Sequence, residues 1–212
     1  MAYPSKTNPA AIKAAALDLL EREGEAALTL RRVAGVLGVN ANAIYRYYAT
    51  RDVLVAAVAE EVARRLLAAI DRELGRLDRD DAPWDAPWDA PWDPKARIRT
   101  LVEVYAAFAD AHPALYGTLM TDRPSPDTEL LQPPAYILLW LRVIEVLEPL
   151  TGPTDAPSAA VTLWSLLHGM WALEQADLLG DMKPKGVAGF AVNAVLKGFE
   201  ACLADTVFPH SQ

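Results

Sequence analysis

Apolar side chains recur every three to four residues along most of this chain, and the strict alternation that a half-buried strand needs is scarce. The pattern predicts an all-α protein of about nine helices. The first opens at Pro9, a residue suited to an initial helical turn, carries Ile12, Ala15, Ala16, Leu19 and Leu20 on one face, and stops at Gly24. Two short helices follow, over 30–37 and about 41–47. From Arg51 to about Leu77 the residues Leu54, Val58, Val62, Leu66 and Ile70 fall four apart, which predicts one long helix. Further helices are predicted over 95–111, 114–120, 136–147, 158–179 and 185–205. Proline marks the breaks between them, at His112-Pro113, in the loop 121–128 and over 151–157.

One interval does not fit a helix. Residues 81–93 read DAPWDAPWDAPWD, with a proline in every unit, so neither a helix nor a strand interior is tolerated there. It predicts a low-complexity linker over 79–94. The repeat is either an expansion in a tolerant surface loop or a lid or docking tag built on its three tryptophans. The chain therefore divides into a head (9–52), a connecting helix (53–78), the linker (79–94) and a C-terminal helical domain (95–207).

The densest local chemistry lies between Leu28 and Asp52. The Thr29 hydroxyl can cap the helix that carries Val33, Ala34 and Leu37, and Gly38 can end it in the left-handed conformation. Asn40 can cap the next helix, with Ile44 and Tyr48 on one face. Thr50 can cap the long helix, with Asp52 well placed in its first turn. Ala34, Gly38 and Ile44 stand at i, i+4 and i+10. That is the spacing of a helix-turn-helix, which needs a small residue at the crossing, a glycine in the turn and a branched apolar plug. Tyr45, Tyr47, Tyr48 and Arg51 then follow closely.

The net charge of −8 argues against nucleic acid until its distribution is considered. Residues 1–51 hold seven Lys/Arg and four Asp/Glu, whereas the remainder holds 13 and 24. A basic head on an acidic body suits a DNA reader joined to a separate domain. The single Cys202 excludes an intrachain disulfide framework and reads as a small apolar residue in a helix. The N-terminal MAYPSKTNP has no secretory core, and residues 1–8 read as a loose arm. The longest uncharged run, 156–173, contains Pro157, Ser158, Thr162, Ser165, His168 and Gly169, so it reads as a buried helix and not a membrane span. A cytoplasmic protein is expected.

Thr29-Leu30-Arg31-Arg32-Val33-Ala34, Leu37-Gly38-Val39, Ile44-Tyr45-Arg46-Tyr47-Tyr48 and Arg51-Asp52-Val53-Leu54 resemble the DNA-binding region of TetR-type bacterial transcriptional regulators. Tyr48 and Asn40 depart from it, since phenylalanine and serine are more usual there. In such a head the recognition helix lies in the major groove, with Asn40 or Ala41, Asn42, Ala43 and Arg46 facing the bases. Asn42 can pair with an adenine edge, Arg46 with guanine or a phosphate, and Ala41 and Ala43 with a thymine methyl. The resemblance implies that Tyr45, Tyr47 and Arg51 hold phosphates, that Arg31 reaches a base or the backbone, and that Thr29 contributes its hydroxyl or amide. Arg32 is either a DNA contact or a solvated helix position. The resemblance also implies a homodimer on a near-palindromic operator. The last two helices are the expected interface, through Ala159, Leu163, Leu166, Leu167, Met170, Phe190, Ala194, Leu196 and Leu203.

In the C-terminal domain Trp164, His168, Trp171 and Gln175 share one helix face, and Trp164, His168 and Gly169 resemble the Trp-His-Gly signature of a TetR-type subgroup. Two readings stand for the aromatic set Tyr105, Phe108, Tyr116, Met120, Tyr136, Trp140, Trp164, His168 and Trp171: ordinary core, or a pocket for a small, largely apolar or aromatic effector. An effector that favours one of two conformations would release DNA through the long helix. A different class of function, an enzyme or carrier using this cavity, would need convergent acid, base or nucleophile groups. His112, His168 and His210 are scattered, and no phosphate loop, metal-ligand spacing or nucleophile motif is present. No catalytic residue, metal or cofactor is expected.

Overall fold

The computed structural model describes residues 7–80, 93–121, 133–178, 180 and 186–207, with side chains except at 79–80, 120–121 and 203–207. Most of the expected DAPW linker, and the side chain of Met120, lie outside them. The helices are α1 (Pro9–Glu23), α2 (Leu30–Leu37), α3 (Ala41–Tyr45), α4 (Arg51–Asp80), α5 (Pro94–Ala111), α6 (Pro113–Thr121), α7 (Ala135–Gln175) and α8 (Val187–Val207). A single 3₁₀ turn, Glu25–Ala27, links α1 to α2. No strand occurs among the described residues.

Among the described residues there are eight helices, and the break expected over 151–157 falls at Gly152, where two helical stretches of α7 meet at a kink. Gly152, at φ 76° and ψ 160°, is the one non-helical residue inside α7. Pro153 directly after it has the φ of a first helical position, so the helix restarts at once. The recognition helix ends at Tyr45, two residues early, where the amides of Tyr47 and Tyr48 both turn back to the Ile44 carbonyl.

The chain forms two compact units. The first comprises residues 1–67 and 107–138, the second 68–106 and 139–212. In the first unit Ile12, Ala16, Leu19 and Leu20 of α1, Val33 and Ala34 of α2, Ile44 of α3 and Leu54, Val58 and Val62 of α4 form one core, joined by Leu115 of α6. Lys13 of α1 also bonds Glu61 of α4 at 3.2 Å. Both carboxylate oxygens of Glu60 accept the Ala135 amide, at 2.8 and 2.9 Å, at the start of α7 just after Pro134.

The second unit buries Ile70, Leu74, Ile98, Leu101, Val146, Leu147, Leu163, Leu167, Val192 and Leu196. Ion pairs join Asp78 to Arg97, Asp71 to Arg142 and Lys95 to Glu200. The four-residue stripe expected along α4 is buried throughout, from Leu54 to Ile70, and Leu74 extends it. Among the described residues no helix is long and apolar enough to cross a membrane.

Candidate functional site

The two short helices of the head are set by local capping. The Thr29 hydroxyl accepts the Arg32 amide at 3.3 Å and opens α2. At the other end Gly38 has φ 65° and ψ 36°. The Val39 amide returns to the Ala34 carbonyl at 3.0 Å, and the Gly38 amide to Gly35 at 3.1 Å. This is the Schellman closure of a helix, and it turns the chain toward α3. The Asn40 side-chain oxygen accepts the Asn42 amide at 2.9 Å and opens α3. Ile44 and Tyr48 then plug the core, as their spacing predicted. Burial raises the Tyr48 phenol above its ordinary pKa.

With Ile44 inward, the opposite edge of α3 must face outward. Asn42, Tyr45 and Arg46 are exposed there, Ala41 and Ala43 are half-buried, and Arg31 of α2 is exposed as well. Among the described residues, no hydrogen bond or ion pair engages the side chains of Arg31, Asn42 or Arg46. These groups are therefore available to an external partner. Asn40 keeps its amide donors, because the cap uses only its oxygen.

Three neighbours are occupied within the chain. Arg32 pairs with Glu23, which supports the solvated-helix reading of that residue. The Tyr47 hydroxyl donates to the Thr7 carbonyl at 3.0 Å. Arg51 donates from Nε to the Leu28 carbonyl at 3.0 Å, and from Nη2 to the Glu25 carbonyl at 3.3 Å and to its carboxylate at 3.0 Å. Nothing in local sequence signals these last two pairings, which span 40 and 23 residues.

The aromatic set expected to line one pocket divides between the units. Phe108 packs against the head core and lies 5.1 Å from the His112 ring, Tyr116 is completely buried, and Tyr136 is exposed, all in the first unit. Tyr105, Trp140, Trp164, His168 and Trp171 belong to the second. There Trp164 Nε1 donates to the Tyr105 hydroxyl at 3.1 Å. His168 stacks on Trp171, with centroids 5.9 Å apart and an interplanar angle of 24°. Trp164 itself is 44% exposed, so this face is not ordinary core.

Of the residues expected at the dimer face, Ala159, Leu163, Leu167 and Leu196 are buried within their own unit. Leu166 and Met170 are half-buried, Phe190 and Ala194 are exposed, and Leu203 lies outside the described side chains. Among the described residues of α8 and of α7 beyond Gly152, the large apolar side chains left open are Val161, Trp164, Leu173 and Phe190, the last 76% exposed.

Comparison with known proteins fits this geometry. Residues 12–58 match the family model for bacterial regulatory proteins of the tetR family. Residues 98–195 match that for a tetracyclin repressor-like C-terminal domain. An HTH-type transcriptional regulator of Mycobacterium tuberculosis, Rv0681, is 27% identical over 202 residues, covering 94% of this chain and 85% of its own. A protein from Rhodococcus sp. RHA1 has the same fold, with a TM-score of 0.68 at 24% identity over 95% of this chain and 98% of the other. So does BioQ crystallised with its natural double-stranded DNA operator, with a TM-score of 0.61 at 18% identity over 92% and 99%. The two family models together span the head and most of the remaining helices, and the chain belongs to the TetR family of bacterial transcriptional regulators.

Proposed function

We propose that this regulator reads a near-palindromic duplex operator as a homodimer and lets go of it when a small effector binds the C-terminal domain. The observation that carries the reading is the unengaged trio Arg31, Asn42 and Arg46 on the outer edge of a capped and plugged helix-turn-helix. Asn42 has the amide that pairs with adenine, and Arg46 the guanidinium that pairs with guanine or phosphate. Tyr45 flanks them, while Ala41 and Ala43 allow close approach to thymine methyls. Thr29 adds its amide or its hydroxyl proton, since the cap of α2 uses only the hydroxyl oxygen as acceptor.

Anisotropy titration with labelled duplexes from the DNA flanking its own coding region tests this. Wild type should select one duplex over a scrambled one of the same composition. Asn42→Ala should cost about 1–3 kcal/mol of that discrimination. Arg46→Ala should weaken binding and flatten its salt dependence by about 1 per head if the contact is to phosphate. A protein that binds no duplex at modest salt would refute the proposal.

Two heads are needed because one small module buries little surface, and dimeric readers place theirs about 34–36 Å apart. Val161, Trp164, Leu173 and Phe190 support an interface on α7 and α8. Phe190→Asp should then shift sedimentation toward the monomer. Tyr105, Trp164, His168 and Trp171 support a largely apolar or aromatic effector, and the match to a repressor-like C-terminal domain supports release as the outcome. The effector's differential affinity for the two states limits that release. Such a protein works in the cytoplasm, needs no cofactor and performs no catalysis.

A further inference from the structure

The short recognition helix poses a problem that its own residues do not solve. Five residues make little more than one turn, too short to be stable or oriented without outside support. The hairpin containing it starts after Leu28 and ends at Arg51. A single guanidinium joins those two points, because Arg51 Nε holds the Leu28 carbonyl and Nη2 holds the Glu25 carbonyl and carboxylate. Leu28 is completely buried, and a carbonyl leaving a buried residue between two helices needs a donor. Three of the five N–H bonds of Arg51 are thereby engaged, and its charge faces Glu25.

Tyr47 acts in the same way from the other side. Its hydroxyl proton is given to Thr7, and an ionised phosphate offers only acceptors, so the same proton cannot serve both.

We infer that Arg51 is a positioning residue that closes the reading hairpin and aims Asn42 and Arg46, and that it is not a phosphate contact. This rests on the DNA-binding reading above. The two roles differ in what they do to binding. A lost phosphate contact weakens all duplexes alike and lowers the salt slope. A lost brace misaims the base-reading edge, so it weakens the selected operator and spares non-specific binding.

The test uses the full chain, an operator enriched by the wild-type protein from a random duplex library, and a scrambled duplex of the same composition. Arg51→Ala should lose on the order of tenfold in affinity for the operator. Its affinity for the scrambled duplex and its slope of log K against log salt should stay at wild-type values. Glu25→Ala, which keeps the backbone acceptors, should lower the operator-to-scrambled ratio in the same direction. Circular dichroism and thermal melting establish that each variant is folded. If Arg51→Ala is not, Arg51→Lys takes its place, keeping the charge without the fork, and the ratio should still fall.

A uniform loss on both duplexes with the slope lowered by about 1.8 for two heads would overturn the inference. So would an unchanged operator-to-scrambled ratio. Failure of the wild-type protein to select any duplex would instead sink the DNA-binding reading itself.

Discussion

Gly35 and Gly38 lie three residues apart, and the same substitution at each should act in opposite directions. Gly35 is inside α2, exposed, with no atom within 4 Å of where a Cβ would sit. Gly35→Ala therefore adds no clash and removes the entropic cost of a helical glycine, a gain of about 0.5–1 kcal/mol. A Cβ at Gly38 would also meet nothing within 4 Å. Its backbone, however, is left-handed at φ 65°, and a side chain there costs about 1–2 kcal/mol. Gly38→Asn should recover part of that loss, because asparagine tolerates this conformation.

The head should be followed by its own signal, since all six tryptophans lie beyond residue 83. Amide hydrogen exchange of peptides covering α2 and α3 reports its opening free energy directly. Gly35→Ala should raise protection about 2–5-fold and Gly38→Ala should lower it about 5–30-fold, taking a tenfold change per 1.4 kcal/mol. No packed neighbour crowds a Cβ at either site, so the contrast isolates backbone conformation. Two shifts of the same sign would refute the Schellman turn, and with it the angle at which α3 is presented.

Ile44 is completely buried in the head core, so Ile44→Ala should cost about 2–5 kcal/mol and Ile44→Val about 0.5–1.5, read by the same exchange measurement. Glu61 gives a pH signature. Burial opposes its ionisation, but the hydrogen bond from Lys13 and the charges of Lys13, Arg64 and Arg65 outweigh that and hold its pKa below the usual value. The stabilisation is then fully present above the unfolded carboxylate pKa of about 4.3 and lost as pH falls through the lower folded value. Denaturant unfolding between pH 6 and pH 3 should show this loss, and Lys13→Met should reduce it; an unaltered pH profile in that variant would contradict the assignment.

The parts of this fold that sequence revealed are those set by neighbours in the chain. Thr29 and Gly38 bracket α2 because a cap is a contact within a few residues. The buried stripe of α4 was legible for a similar reason, since helical period alone places Leu54, Val58, Val62, Leu66 and Ile70 on one side. Proline spacing predicted interruption of α7, yet a proline forbids a helix only where an N–H is needed. Pro153 stands at a restart where none is.

The rest depended on partners distant in sequence. Arg51 and Tyr47, read by type and position, suit a phosphate clamp, and only the folded chain shows the Leu28 and Thr7 carbonyls beside them.

The same limit explains the dimer face. Period 3.6 shows that α7 and α8 have apolar stripes but not which stripe belongs to the chain's own interior. Leu163 and Val161 are two residues apart and equally apolar, yet one is 1% exposed and the other 50%. Helix α7 is apolar on more than one side, the condition under which a helix is covered by more than its own unit. The discriminating pair is therefore Leu163→Asp against Val161→Asp. The first should unfold the second unit, because it buries an unpaired charge. The second should leave the unit folded and weaken only self-association, as seen by sedimentation across a concentration series. If Val161→Asp sediments as wild type does, the interface is not on this stripe, and the exposed tryptophan beside it needs a different partner.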